Sequence, residues 1–190
     1  ATSDNPHFHQ SGLMLITEGA RERQRWLRIS EQLPDEFLYP TEDGFLFPRT
    51  GWISASQLTA LTPRTHQRIH GVVRHANCWR LLDESGQTCQ EADVVVVATG
   101  ADRPPCDMPL SLDIIPGLAL SIRTEQPIRR VRSGEVSLFP AMEGAHTLSG
   151  IYDRQMTEPS PAHVKELLDG FGSDCDILSS TMGLRATTRD

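Results

Sequence analysis

The feature that most constrains the fold is a run of four valines, Val94 to Val97, which leads into the small residues Ala98, Thr99 and Gly100. An unbroken apolar run bounded by turn residues is typical of a strand covered on both faces, and such strands occur mainly in the parallel sheets of α/β domains. Ligands of these sheets bind just beyond the carboxyl ends of the strands. We therefore predict a buried parallel strand whose end passes a nucleotide or another cofactor.

Length and composition are those of a globular protein. The 190 residues suffice for one domain or two small ones, with 38% hydrophobic and 23% charged residues and a net charge of -7. No apolar run approaches the roughly 20 residues needed to cross a bilayer. The four cysteines contain no Cys-x-x-Cys pair, so we expect reduced thiols in a cytoplasmic protein; they are Cys78, Cys89, Cys106 and Cys175.

Local patterns predict a chain that combines many strands with few helices. Helices are predicted over 18–33, near Leu58 with Pro63 as a limit, and after Ser160-Pro161. Residues 106–116 are rich in proline and are predicted to be a loop that crosses between domains. The predicted strands other than the valine run cover 12–16, 44–48, 68–73, 79–83, 118–122, 135–140 and 146–152.

Motifs for phosphate loops, hydrolytic serines and metal sites are missing from the sequence. It has no Gly-x-Gly-x-x-Gly loop after a strand, no Gly-Lys-Ser/Thr and no Gly-x-Ser-x-Gly. The segment Gly170-Phe171-Gly172 follows a predicted helix rather than a strand, which is the wrong context for a phosphate loop. The pairs His7/His9 and His66/His70 lack a third ligand at a metal-site spacing, so no metal site is predicted.

Arginine provides almost all of the positive charge, because Lys165 is the only lysine. Two clusters stand out, one at Arg21, Arg23, Arg25 and Arg28 and one at Arg129, Arg130 and Arg132. Each cluster is either a solvated face or a contact surface for phosphate, which guanidinium groups bind bidentately.

Two further residues have alternative roles on local grounds. Arg185 follows Gly183-Leu184 and suits either a surface salt bridge or the bidentate binding of a carboxylate. Tyr152 ends a predicted strand and is either half-buried in a sheet or directed into a pocket.

Several segments stand in an order that is typical of a known family. They are 44–48, 51–53, 79–81, 93–100, 150–152 and, most specifically, Gly183-Leu184-Arg185-Ala186-Thr187-Thr188-Arg189-Asp190. This order resembles that of the FAD-dependent oxidoreductases of the D-amino-acid-oxidase and glycine-oxidase type. The chain is most similar to the oxidoreductase domains of the bifunctional tRNA 5-methylaminomethyl-2-thiouridine biosynthesis proteins.

The resemblance implies an α/β (α+β) fold that is a fragment of the family's domain. Residues 8–50 and 106–180 would form a substrate-binding domain with an antiparallel or mixed sheet. Residues 51–105 and 181–190 would form part of an FAD/NAD(P)-binding-like domain, without its amino-terminal glycine-rich unit and its carboxyl-terminal end.

The resemblance also implies a reaction. The family's enzyme uses FAD to oxidise the carboxymethylaminomethyl group of the wobble (2-thio)uridine in tRNA, and it releases glyoxylate. Arg185 would bind the substrate carboxylate, and Tyr152 would form a pocket wall. The residues implied to lie near the cofactor are Ile69, Ala98, Thr99, Gly100, Thr188, Arg189 and Asp190.

Two alternatives remain open at this point. The first keeps the fold and changes the substrate to glycine, sarcosine or another small amino acid. The second is a non-catalytic module whose sheet binds protein or RNA. The resemblance also leaves open whether a methyltransferase domain is fused to the oxidoreductase in the parent protein.

Overall fold

The computed structural model of the chain describes residues 8–60, 67–102, 105–106, 112–172 and 174–188. Within these ranges the helices are α1 (Ala20–Ser30), α2 (Ala55–Ala60) and α3 (Pro161–Phe171). The strands are β1 (Phe8–His9), β2 (Leu13–Ile16), β3 (Tyr39–Pro40), β4 (Gly44–Phe47), β5 (Trp52–Ile53), β6 (Gly71–His75), β7 (Cys78–Leu82), β8 (Thr88–Ala92), β9 (Leu112–Arg123), β10 (Val131–Ser133), β11 (Ser137–Met142), β12 (Ala145–Tyr152) and β13 (Asp176–Thr188).

The chain divides into two compact units. The first unit comprises Ala1–Thr62 and Pro116–Gly183, and the second comprises Pro63–Ile115 and Leu184–Asp190, so the boundary falls within β9 and β13. The larger sheet has the order β13-β9-β12-β11-β10-β2-β4-β3. Its described pairs are antiparallel except β10 with β2, which is parallel. The predicted class, a mixed sheet with few helices, is confirmed.

Helix α3 covers the core of the first unit on one face of this sheet. Leu118, Leu120 and Leu148 project from β9 and β12 and are at most 2% exposed. They form one apolar cluster with Leu167 and Phe171, the two buried residues of α3. Each fully buried side chain of this size contributes about 1.5–3 kcal/mol, so this cluster is the main stabilising contact of the unit.

Helix α1 packs on the opposite face through one aromatic residue. The Trp26 ring meets the Phe47 ring edge-on, with 5.6 Å between centroids, and lies 6.3 Å from the Phe45 ring. A guanidinium nitrogen of Arg23 donates to the carbonyl of Thr41 at 2.9 Å and completes the contact. Most of the other residues of α1 are polar, and the helix ends at Ser30 rather than at residue 33.

The second unit contains a three-stranded antiparallel sheet, β6-β7-β8. Its turn from β7 to β8 is closed by Asp83, whose Oδ1 accepts from the Ser85 hydroxyl at 2.7 Å and from the backbone N–H groups of Ser85 and Gln87. These hydrogen bonds lower the pKa of the Asp83 carboxyl, and the bond from the Ser85 hydroxyl has the largest effect. Arg80 and Glu91 form an ion pair at 2.7 Å across the same two strands.

The prediction of a buried strand at the valine run is wrong for the described residues. No strand includes residues 93–99, and Val94 and Val96 are 76% and 84% exposed. Val95 and Val97 are half-buried, so the side chains still alternate as they would in a strand. A parallel strand needs neighbours on both edges and a layer on each face, and within the described ranges no strand pairs with this segment.

The predicted loop at 106–116 is also partly wrong, because β9 already begins at Leu112. The β-branched pair Ile114-Ile115 favours a strand. Pro116 lacks an N–H, but its carbonyl accepts from the Asp153 N–H at 3.1 Å, so the proline is tolerated next to β12. Residues 107–111 lie outside the described part of the chain.

The start of α3 is fixed by a capping box between Ser160 and His163. The Ser160 Oγ accepts from the His163 N–H at 3.3 Å, and the Ser160 N–H donates to His163 Nδ1, also at 3.3 Å. Pro161 occupies the first helical turn, and Gly172, with a φ of 71°, ends the helix. Gly170-Phe171-Gly172 is thus a helix end.

We expect Ser160→Ala to lower the free energy of unfolding of the chain by about 1 kcal/mol, because an N–H of the first turn of α3 loses its acceptor. Urea unfolding followed by circular dichroism measures the change. Thr157→Ala, an exposed loop position nearby, is the matched control and should change stability by less than about 0.5 kcal/mol. Equal effects of the two substitutions would contradict the role of the cap.

Candidate functional site

Tyr152 lies at the end of β12 and is directed by an irregularity in that strand. Leu148 and Ile151 both belong to the core, although regular alternation would place them on opposite faces. The register with β9 shifts between Ser149 and Ile151, and the intervening Gly150 has a φ of 149°. This bulge returns Ile151 to the core and places Tyr152 on the face away from α3.

Glycine is required at the bulge for steric reasons as well. A Cβ on Gly150 would lie 2.5 Å from the Glu135 carbonyl oxygen and 2.9 Å from the Val136 Cα. Both neighbours are backbone atoms of the adjacent chain segment and cannot move aside cheaply. The bulge and the direction of Tyr152 therefore depend on this glycine.

The Tyr152 ring lies over a second glycine. Gly117 of β9 is the register partner of Tyr152, and a Cβ on it would be 2.8 Å from the ring carbons Cδ1 and Cε1. Tyr152 as a whole remains 54% exposed. Ser149 and Thr147 lie on the same face of β12 as Tyr152.

Arg185 lies on β13, in the stretch that belongs to the second unit, and it is exposed. The neighbouring Thr187 donates from Oγ1 to the Asp113 carbonyl at 3.3 Å, which fixes the end of β13 beside the start of β9. The predicted residues Arg189 and Asp190 lie outside the described residues, as does the Thr188 side chain. Because Arg185 and Tyr152 fall in different units, their joint role is taken up as a proposal below.

The remaining predicted cofactor residues all lie in the second unit. Ile69 is half-buried, whereas Ala98, Thr99 and Gly100 are exposed. The Thr99 carbonyl accepts from the Asp102 N–H at 3.1 Å, and the Thr99 hydroxyl donates to the Asp102 carbonyl at 3.0 Å. This closes a tight turn in which Gly100 adopts a φ of 62°.

The valine segment and this turn have features that fit a cofactor. Backbone groups of 94–98 make no sheet hydrogen bonds among the described residues, so they are available to a ligand or to another strand. The space beside Gly100 is open, since a Cβ there would meet nothing within 4 Å. The glycine-rich cradle for a pyrophosphate is not in the sequence.

A Ser-His-Asp arrangement in the first unit has a structural explanation. Ser160 Oγ lies 3.0 Å from His163 Nδ1, and His163 Nε2 lies 3.5 Å from Asp153 Oδ2. The hydroxyl and Nδ1 both bond the backbone at the start of α3. We therefore assign the three residues to the capping of this helix.

Other reactive groups form no cluster within the described ranges. No three His, Cys, Asp or Glu side chains are placed there to hold a metal ion. Burial raises the pKa of the Cys175 thiol, and the nearby Asp176 and Asp174 add to the effect, which keeps it protonated. None of the described helices is both long enough and apolar enough to cross a membrane.

Sequence reasoning missed the two glycines that orient Tyr152. The segment Gly150-Ile151-Tyr152 resembles the family, but nothing in its local pattern indicates a bulge. Gly117 follows Pro116, a pair that reads as a turn rather than as the middle of a strand. Only the pairing of β9 with β12 reveals that this glycine makes room for a ring.

Comparison with known proteins connects this fold to one curated protein. No protein-family model matches the chain. The tRNA 5-methylaminomethyl-2-thiouridine biosynthesis bifunctional protein MnmC of Stutzerimonas stutzeri (strain A1501) is 25% identical over 195 aligned positions. These positions cover 86% of this chain and 29% of that protein.

Solved structures of oxidases share the fold. Glycine oxidase from Bacillus cereus ATCC 14579 matches with a TM-score of 0.68 at 14% identity, over 96% of this chain and 62% of that one. Iminodiacetate oxidase from Chelativorans sp. BNC1 matches with a TM-score of 0.65 at 14% identity, over 94% of this chain and 60% of that one. The chain thus has the fold of the FAD-dependent oxidases, as the resemblance implied, and spans less than two thirds of each matched protein.

We expect Gly117→Ala to displace the Tyr152 ring, because the added methyl carbon would lie only 2.8 Å from two ring carbons. Since Tyr152 is more than half exposed, its ring can rotate away, and the loss of stability should stay below about 1–2 kcal/mol. The Tyr152 aromatic NMR signals, assigned with Tyr152→Phe, should shift while those of Tyr39 do not. The matched control Gly183→Ala, where a Cβ meets nothing within 4 Å, should leave both tyrosines unchanged. Unmoved Tyr152 signals in Gly117→Ala would contradict the packing.

Proposed function

We propose that the chain is the central segment of an FAD-dependent oxidoreductase that oxidises an N-carboxymethyl amine. The observation that carries this proposal is the shared fold over 94–96% of the chain with oxidases of glycine and iminodiacetate. The curated relative, whose name refers to the biosynthesis of 5-methylaminomethyl-2-thiouridine in tRNA, supports the same chemistry.

The substrates named for the two oxidases and the one implied by the family resemblance have one chemical group in common. Glycine, iminodiacetate and a carboxymethylaminomethyl uridine each contain a nitrogen bonded to a methylene that bears a carboxylate. We propose that this methylene carbon loses the hydride. A site that binds the carboxylate and presents this carbon therefore serves all three.

The reaction divides between the cofactor and the protein. FAD, when bound, supplies the acceptor for the hydride that leaves the methylene carbon. The nitrogen lone pair forms the C=N bond of an iminium ion as the C–H bond breaks, so a neutral amine needs no general base. Water then adds to the iminium carbon and loses a proton to solvent, and the C–N bond breaks to release glyoxylate and leave an amine.

Binding of the substrate carboxylate is assigned to Arg185. Its guanidinium group can donate two parallel charge-assisted hydrogen bonds to a carboxylate, which fixes both position and orientation. Tyr152 is assigned to a pocket wall, since Gly150 and Gly117 hold its ring on the face of β12 away from the core. Neither residue transfers a proton in the proposed reaction.

Cofactor binding is assigned to the second unit. Ala98, Thr99 and Gly100 would contact FAD through the backbone, Ile69 would lie toward its adenine, and Thr188, Arg189 and Asp190 would lie toward the flavin. The exposed valines support this assignment, because Val94 and Val96 cost about 25 cal/mol per Å² of apolar surface while they face water. We propose that a strand and a helix of the complete domain cover them.

The more specific proposal is that the substrate is the carboxymethylaminomethyl (2-thio)uridine at the wobble position of tRNA, in the cytoplasm. Only the curated relative favours this substrate over free glycine or sarcosine. That relative is named bifunctional, which supports a second activity in the parent protein, and we propose that a fused methyltransferase domain supplies it. A non-catalytic binding module would gain if the complete protein bound RNA without reducing a flavin.

We expect Arg185→Ala, in the protein expressed from the complete reading frame, to lower kcat/KM for the N-carboxymethyl amine about 100-fold, because two charge-assisted hydrogen bonds are lost. Arg185→Lys keeps the charge but not the two parallel N–H donors, so it should recover only part of the lost kcat/KM. Steady-state assays of glyoxylate release measure both. Arg123→Ala, also an exposed arginine at a strand end, is the control and should change kcat/KM less than about twofold. Full activity of Arg185→Ala would rule out the binding of the substrate carboxylate by Arg185.

We expect the 190-residue chain alone to bind FAD with a Kd above about 100 µM, because a pyrophosphate cradle at a helix amino terminus is not in its sequence. The complete protein should bind FAD with a Kd below about 1 µM. Flavin fluorescence quenching and equilibrium dialysis measure both values. Tight stoichiometric binding by the chain alone would show that its described residues suffice to hold the cofactor.

A further inference from the structure

A groove on the first unit is lined by the second arginine cluster and has no role in the proposed reaction. It has a volume of about 540 Å³. Its walls carry Arg129, Arg130 and Arg132, which precede or belong to β10. Arg132 lies opposite Met14 in the parallel pairing of β10 with β2, so both side chains project from the same face of the sheet.

The arginines of this groove are uncompensated. All three are exposed, and none of their guanidinium groups has a hydrogen bond, ion pair or ring contact among the described residues. Asp43 is the one acidic residue among the described lining residues, which leaves a net charge of about +2 in a chain whose net charge is -7. Three guanidinium groups held near one another repel, and an anionic ligand would relieve this repulsion.

Elsewhere in the chain several arginines have partners. Arg49 pairs with Glu36 at 3.0 Å, and Arg80 pairs with Glu91 at 2.7 Å. The adjacent smaller cavity, which shares Arg132, is lined by Glu18 and Glu135 and therefore does not extend the positive surface. On this side the positive surface therefore ends at Arg132.

Apolar side chains line the same groove as the arginines, namely Met14, Ile16 and Ile128. A phosphate or acidic peptide alone needs no apolar lining, whereas a nucleotide chain presents both phosphates and the flat faces of riboses and bases. Arginine binds phosphate oxygens bidentately and also stacks on bases, so this combination suits a single nucleic acid strand.

We infer that this arginine groove binds the sugar–phosphate backbone of the RNA that carries the reacting nucleotide. The choice of RNA over other polyanions rests on the proposed function, whereas the anionic nature of the ligand rests on the groove itself. The contacts made here position the RNA and carry no sequence information. The reacting group is bound elsewhere, by the residues assigned above.

The test measures binding to the chain and not turnover, so it can fail independently of the proposed reaction. A fluorescein-labelled anticodon stem-loop RNA is titrated with the chain, and anisotropy is followed at several salt concentrations. The variant carries Arg129→Gln, Arg130→Gln and Arg132→Gln. Affinity should fall about 10- to 100-fold at low salt, and the slope of log K against log salt should decrease in magnitude by about 2 to 3, because up to three phosphate contacts are lost.

A matched control has the same change of charge on another surface. Arg21, Arg25 and Arg28 lie on the exposed face of α1, and they too are without partners among the described residues. Their replacement by glutamine should change affinity less than about threefold, because a convex helix surface contacts a ligand from one side only. Equal losses in the two triple variants would overturn the inference in favour of unspecific attraction.

Further variants and competitors make the outcome decisive. The three single Arg→Gln variants at the groove should each lower the slope by about 0.7 to 0.9, and they serve if the triple variant does not fold. The triple Arg→Lys variant should bind more weakly than wild type and more tightly than the glutamine variant.

Vesicles containing phosphatidylserine should not compete with the RNA for the chain. Tighter binding to these vesicles than to RNA, or wild-type affinity of the glutamine variant for RNA, would contradict the inference. Loss of glyoxylate release with RNA binding intact would contradict the proposed reaction but not the RNA-binding groove.

Discussion

The bulge at Gly150 is the constraint on which the arrangement of the first unit depends. It lets Leu148 and Ile151 enter the same core, against Leu167 of α3, and it turns Tyr152 to the opposite face. Without it, strand alternation would bury the tyrosine and expose the isoleucine. The sheet therefore packs Ile151 into the core on one face and exposes Tyr152 on the other, and the backbone contact that excludes a Cβ at position 150 determines this arrangement.

Local sequence signals were sufficient for elements whose stability is local. The strands at Gly44–Phe47 and Ala145–Tyr152 and the helix after Ser160 are confirmed, because apolar alternation, a cap and a proline are all readable in sequence. Long-range pairing was not readable. The sequence does not predict β13 or the early start of β9, and it does not show that Gly117 accommodates a ring. The valine run was misread because strand propensity is local, whereas a buried strand needs neighbours.

In the second unit, the segment assigned to the cofactor leaves apolar side chains exposed. Its three-stranded sheet is closed by local bonds such as those of Asp83, yet the segment that follows leaves Val94 and Val96 in water. A chain that keeps such a run unpaired has surface suited to association with further strands. The fold comparisons, in which the chain spans 60–62% of each solved oxidase, agree with a segment that completes its sheet in a larger domain.

The central claim is that this segment belongs to an enzyme that oxidises the methylene carbon of an N-carboxymethyl amine. The most direct measurement is a single-turnover reaction of the complete, FAD-loaded protein with a substrate labelled with ¹³C at that methylene. The account predicts bleaching of the flavin absorbance and appearance of the label in glyoxylate, in equal amounts and at the same rate. An unchanged flavin spectrum, or label that remains in the amine after the flavin is reduced, would contradict it.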